Sequence, residues 1–248
     1  MLEFSPAGYG HLLTAIKTHG YRTIPFDAAV QTTEPSRRLL LRHDIDFSLD
    51  YAHAMATQEA AMGLTATYFV MLRSPMYNLM SRHNATRLRD IAAMGHAIGL
   101  HFDAAYNQGS ERSLAAWIRF EAETLSALAA TPVTAFSLHQ PSPEVLQQNI
   151  LIEGLVNTYH PTQLAAFTYL SDSNRDWRGK DPIALMQAGT PHIHLLTHPM
   201  WWMNENPTTH GCWDDVIALN FSRMQEQLLA TERAYGEKRR IQIGPAAP

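Results

Sequence analysis

The run LLLRHDIDFSLDYAHAM (39–55) places His43, Asp44 and Asp46 within four positions at the end of an apolar segment. Two carboxylates this close repel each other and resist burial unless a cation or a set of hydrogen bonds compensates them. In an extended chain Asp44 and Asp46 point to one side, His43 and Ile45 to the other. Asp and His together, without cysteine, suit Zn²⁺ or a neighbouring divalent ion with open coordination positions. Such an ion would be the missing counter-charge. The chain has 13 histidines and a single cysteine, Cys212. That excludes an intramolecular disulfide and any multi-cysteine zinc site.

The elements that must position these residues are legible from periodicity. RRLLL (37–41) reads as an apolar strand leading into RHDID. Ser48 caps a predicted helix over 49–62, which Gly63 ends. TATYFV (65–70) reads as the next strand, rich in β-branched and aromatic residues. A helix over 86–94, the strand HAIGLH (96–101), a helix over 113–129 and the strand TAFSLH (134–139) follow. After a short helix in PSPEVLQQNI come the strands LVNTYH (155–160) and FTYLSDS (167–173). DPIALMQAG is helical with Pro182 in its first turn, and HIHLLTH (192–198) is the last strong strand. A long helix over 214–235, stopped by Gly236, closes the chain. This alternation, without a Pro-, Gly- or Ser-rich linker, predicts one α/β domain over residues 1–248, with a core at 39–200. The expected architecture is an irregular (β/α) barrel of about seven parallel strands, closed or nearly closed.

Placed on that skeleton, the polar residues converge. Asp44 and Asp46 follow the first strand, and His101, His139, Asp172 and His198 each stand at the end of another. Parallel α/β folds assemble their sites at the C-terminal ends of strands. Five strand ends giving Asp or His exceed what solubility requires.

RHDID, GLTATYFV, GHAIGLH and the HP after the last apolar strand resemble the polysaccharide deacetylases, the NodB-homology group or carbohydrate esterase family 4. The family's motifs are TFDD, G-x-x-A-T-F-F-V and G-H-E-I-G-x-H, and the resemblance runs over residues 39–200, strongest at 41–103. It implies that the first carboxylate, Asp44, is the base and the second, Asp46, a metal ligand. His101 becomes a second ligand and His198 the catalytic acid. Asp172 and Trp177 resemble the fourth motif, which positions the base and lines the pocket. With Arg178 and Trp201 they are the expected substrate contacts, since aromatic faces stack on sugar rings and Arg binds hydroxyls and carboxylates.

Three departures matter. HDID puts one residue between the carboxylates, which leaves base and ligand open. The family's second metal histidine would fall on Ala105; His139 is the expected replacement and Asp103 its rival. The arginine-proline motif is replaced by SLHQPSP. The pattern is similar to a divergent subgroup associated with bacterial surface-sugar (lipopolysaccharide, O-antigen) biosynthesis.

Each residue also has a plainer reading. Asp44 and Asp46 could serve the N-terminus of the helix at Leu49, although Ser48 is the better cap. His101 could be a hydrogen-bonded core histidine. His192 and His194 share the parity of His198 and form an H-x-H pair, a rival metal site deeper along the strand. Trp201 and Trp202 could simply seal the barrel rim. His43, His96 and Asp103 read as structural.

The implied activity is metal-dependent removal of an N-acyl, in the first place N-acetyl, group from an amino sugar. Zn is the expected ion, with Co, Ni or Mn as substitutes. Another C–N hydrolase, such as a deformylase, and a non-catalytic sugar binder are the alternatives. With 46% hydrophobic and 17% charged residues the chain is globular, and a net charge of −4 invites no nucleic acid. MLEFSPAGYGHLL lacks the features of a secretory signal and no window is a membrane span, so a cytoplasmic protein is expected. Its substrate would then be a nucleotide-sugar, a lipid-linked sugar or a glycan intermediate.

Overall fold

The computed structural model describes residues 2–31, 36–107 and 109–234. The predicted stop at Gly236 and the basic run Lys238–Arg239–Arg240 lie outside them. Among the described residues eight strands form one parallel sheet: β1 (Arg22–Thr23), β2 (Arg38–Ile45), β3 (Thr67–Val70), β4 (Ala97–Phe102), β5 (Ala135–Leu138), β6 (Val156–Asn157), β7 (Thr168–Ser171) and β8 (His192–Thr197). The order is β6-β5-β4-β3-β2-β8-β7, with β1 beside the start of β2. The sheet is therefore a curled half-barrel. This is the expected parallel (β/α) architecture; among the described residues no ladder joins the edge strands β6 and β7.

Nine α-helices accompany the sheet: α1 (Pro6–Thr18), α2 (Phe26–Gln31), α3 (Leu49–Ala61), α4 (Arg82–Ala93), α5 (Leu114–Ala129), α6 (Pro143–Gln147), α7 (Pro182–Gln187), α8 (Pro199–Trp202) and α9 (Thr209–Thr231), counted among the described residues. Ser48 caps α3 as expected, its hydroxyl accepting from the Asp50 N–H at 3.2 Å. The last helix starts five residues earlier than predicted, because Thr208 accepts from the Gly211 N–H at 3.0 Å and so supplies the cap. No described helix is long and apolar enough to cross a membrane.

β2 is the centre of the architecture, and all eight of its residues are buried. It runs four residues beyond the predicted RRLLL because Arg42, His43 and Asp44 all find partners inside. Leu39, Leu41 and Ile45 face the helices in the main core, with Tyr68, Leu100 and Leu195. Leu40 faces the concave side with Phe26, Phe69 and Ala135, where α2 fills the barrel's lower end. Phe26 meets Phe69 edge-on at 5.3 Å and His194 at 5.2 Å. His194 is thereby a buried aromatic neighbour, and the rival H-x-H pair stays below the strand ends.

On the convex side His43 lies at the middle of a buried polar node. Its Nε2 is 2.6 Å from Glu59 Oε1 and its Nδ1 2.6 Å from Thr197 Oγ1. The hydroxyls of Tyr9 and Tyr68 also donate to the Glu59 carboxylate. One point thus ties α1, α3, β2, β3 and β8, and Thr197 immediately precedes His198. Burial pushes the Glu59 carboxyl up, but His43, then His96 and Tyr9, outweigh it and hold it below the usual glutamate range. A depressed folded-state pKa contributes stability above the ordinary carboxylate range and loses it as pH falls through the folded value. Glu59→Gln should lower stability by about 1.5–3 kcal/mol at neutral pH and flatten the acid side of the curve. Urea midpoints measured from about pH 3 to pH 7 check both.

Gly99, in GHAIGLH, pairs with Phe69 on the neighbouring strand. A Cβ there would stand 2.5 Å from the Phe69 ring, which Phe26 and the guanidinium of Arg42 hold in place. Gly99→Ala should therefore cost about 1–3 kcal/mol through overpacking, read as a lower thermal or urea midpoint.

Candidate metal and acid–base centre

The two carboxylates of HDID meet different compensating groups. Asp44 is gripped by Arg42, two residues back on the same face of β2. Nε donates to Oδ1 at 2.8 Å and Nη2 to Oδ2 at 2.7 Å. Arg42 is fully buried, with its guanidinium against the rings of Tyr159 and Phe69. Burial pushes Asp44 up, but Arg42, with His101 and His198, holds its carboxyl below the usual range. The carboxylate is thus kept ionised, and both its oxygens are committed to the arginine.

Asp46, one residue past β2, turns instead to two histidines. Its Oδ1 lies 3.0 Å from His101 Nε2 and 3.1 Å from His139 Nδ1, and the two nitrogens are 3.2 Å apart. His101 is the penultimate residue of β4 and His139 follows β5. The His139 N–H donates to the Phe102 carbonyl at 2.8 Å, which extends the ladder and sets the two histidines side by side. His101 Nδ1 bonds Ser137 Oγ at 2.7 Å, which leaves Nε2 for the centre. Burial raises Asp46, while His101 and His139 bring its carboxyl well below the usual range.

These three atoms fit a divalent ion. Asp46 Oδ1 is buried and has no hydrogen bond of acceptable geometry, although two ring nitrogens lie within 3.1 Å of it. Bonds of 2.0–2.1 Å at tetrahedral angles put ligand atoms about 3.3 Å apart, close to the edges of this triangle. Asp46, His101 and His139 are the one group of three or more ligand-type residues with this convergence among the described residues. Asp103 is outside it and accepts from the Ala105 N–H at 2.9 Å.

His198 follows β8 on the other flank. Its Nδ1 is 2.6 Å from Asp172 Oδ1, and its own N–H donates to Asp172 Oδ2 at 3.0 Å. The Trp202 indole donates to the same Oδ2 at 2.7 Å. Burial disfavours the charged ring, but Asp172, then Asp46 and Asp44, push the His198 pKa up to about 9. Its Nε2 faces the centre, 3.9 Å from Asp46 Oδ2.

All five groups open into one cavity of about 390 Å³, whose walls include Phe47, Tyr159, Tyr169, Trp201 and Trp213. Arg178 is on the rim, in a left-handed conformation (φ 51) and with its N–H donating to Asp176 at 2.8 Å. Two of the expected substrate contacts stand elsewhere. Asp172 is fully buried behind His198. Trp177 is buried against Phe4 and Trp202, so packing, not the pocket, takes its ring. Trp202 seals and orients, whereas Trp201 lines the cavity.

Sequence reasoning missed Arg42, Ser137, Tyr159 and Trp213. Arg42 had a signal, a charge inside an apolar run on the parity of Asp44. The others arrive from distant segments and had none.

The class of molecule this defines is an α/β half-barrel with a carboxylate–histidine centre at its strand ends. A scan of the sequence against protein families gives no match, and no curated protein matches it. Among solved structures, the Streptococcus pyogenes deacetylase PplD, in complex with acetate, is similar at 14% identity and a TM-score of 0.50. The alignment covers 77% of this chain and 89% of that one. A family 4 carbohydrate esterase from Bacillus anthracis is 12% identical, with 86% of each chain covered and a TM-score of 0.45. A CE4 family pseudoenzyme from the same organism is 14% identical, with a TM-score of 0.41 and 77% of this chain covered. This chain spans 63% of that protein's length. The streptococcal likeness shows a shared fold.

Removing Arg42 leaves a buried carboxylate without a counter-charge. Arg42→Met should destabilise by about 3–5 kcal/mol, and adding Asp44→Asn should restore part of the loss. Equilibrium urea unfolding of the two variants measures this.

Proposed function

We propose that the protein is a metal-dependent hydrolase that removes an N-acyl group, foremost N-acetyl, from an amino sugar. One observation carries the reading: the triangle of Asp46 Oδ1, His101 Nε2 and His139 Nδ1, flanked by Asp44 on Arg42 and by His198 on Asp172. A divalent ion held by these three residues, Zn foremost, would polarise the acyl carbonyl and acidify a water. Asp44, fixed by Arg42, accepts the proton of the attacking water. His198, fixed and kept charged by Asp172, donates a proton to the departing nitrogen, which otherwise leaves as an unstable amide anion. Tyr159, Tyr169 and Trp201 give the sugar ring apolar faces, and Arg178 reaches its substituents. The fold shared with a deacetylase crystallised with acetate supports the same chemistry.

The substrate we assign is an amino sugar in a nucleotide-sugar, lipid-linked or glycan intermediate of surface-polysaccharide assembly, handled in the cytoplasm. A cavity of about 390 Å³ suits a sugar unit and part of its neighbour. Cell fractionation that finds the native protein outside the inner membrane would sink the compartment.

Protein purified without chelators should carry about one divalent ion per chain, measured by elemental analysis. Asp46→Ala, His101→Ala and His139→Ala should each lose it. His198→Ala should keep the ion and release acetate from N-acetyl amino sugars about 10²–10⁴-fold more slowly. Folded wild-type protein that takes up no ion overturns the reading. Turnover of N-formyl or cyclic-imide substrates, but not of N-acetyl ones, would move the bond.

A further inference from the structure

Helix α9 has 23 residues but fully buries just Cys212 and Val216. Polar ties hold it to the body: Asn220 donates to the Phe47 carbonyl at 2.8 Å and Arg223 to Asp50 at 2.9 Å. Beside these ties Ile217, Phe221, Met224 and Leu228 are 54%, 61%, 54% and 39% exposed. Their spacing of four, three and four puts them on one face of the helix. The first three form a wall of a groove of about 800 Å³, whose opposite wall includes Leu72, Met76 and Tyr77. A contiguous apolar stripe beside a groove marks an interaction surface.

We propose that this surface is the interface of a homodimer in which the α9 stripes of two copies pack antiparallel. The stripe is self-complementary. Its four positions are symmetric about the point between Ser222 and Arg223. A two-fold axis there sets Ile217 of one copy against Leu228 of the other, and Phe221 against Met224. An isologous contact requires that property. Packing the two stripes together covers Ile217, Phe221, Met224 and Leu228, the most exposed large apolar side chains of the helix, on both copies. The charge of α9 disfavours a lipid surface as the occupant: it carries Asp214, Asp215 and Glu226 against Arg223, and anionic headgroups attract basic helices.

Sedimentation and light scattering of the full chain at tens of micromolar should give twice the chain mass of 27.9 kDa. Phe221→Glu and Met224→Lys, at exposed positions outside the catalytic cavity, should each give folded monomers with unchanged circular dichroism. Mixing the two variants should restore a dimer, because the antiparallel register sets the new carboxylate opposite the new ammonium. None of these readouts depends on catalysis. A wild-type monomer, or a dimer that persists in both variants, overturns the proposal. A wild-type monomer that binds phosphatidylglycerol vesicles, and loses this in Phe221→Glu, overturns it in favour of a membrane. Variants that stay monomeric when mixed overturn the antiparallel pairing.

Discussion

The structure depends on how two carboxylates come to be buried at the end of one strand. Asp44 and Asp46 point the same way and would repel each other in a low-dielectric interior. The fold gives each its own partner. Asp44 receives a guanidinium from its own strand, and both its oxygens are occupied. Asp46 receives two imidazoles from neighbouring strands, and the geometry leaves its Oδ1 unsatisfied. One carboxylate is a finished ion pair and the other an open one. That difference separates a satisfied carboxylate from an unsatisfied one within a three-residue stretch.

The alternation of a strand lets β2 do two jobs. Arg42, Asp44 and Asp46 carry the concave chemistry, while His43 between them anchors the convex side to Glu59 and Thr197. Thr197 in turn precedes His198, which Asp172 and Trp202 orient from β7 and α8. Asp44 and His198 are thereby set by the β2–β8 ladder, with a buried polar node behind it. Polar groups buried this deeply cost stability unless they are fully bonded. Their partners therefore also lock the register of the strands.

His139 shows how a curled parallel sheet brings together side chains far apart in sequence. Ala105, in the loop after His101, offers no polar side chain. The next strand over ends beside β4, and one backbone hydrogen bond past its end brings a histidine to the same point. The strand-end rule drew His139 in from sequence. Its Nδ1 lying within 3.2 Å of both partners came from the β4–β5 register.

The sequence by itself determined the alternation of elements, the shared direction of Asp44 and Asp46, the cap at Ser48, the first-turn Pro182, and the strand-end residues. These follow from local periodicity and the two-residue period of a strand, which nearest neighbours in the chain can encode. It left open which groups would stand beside each carboxylate, and whether His139 or Asp103 would lie next to His101. Tertiary structure decided those neighbours. Arg42 holds Asp44, β5 delivers His139, and β1 and α2 come from the early segment. Each of these depends on which distant segments share a wall, and a chain written in one dimension records their residues but not their meeting.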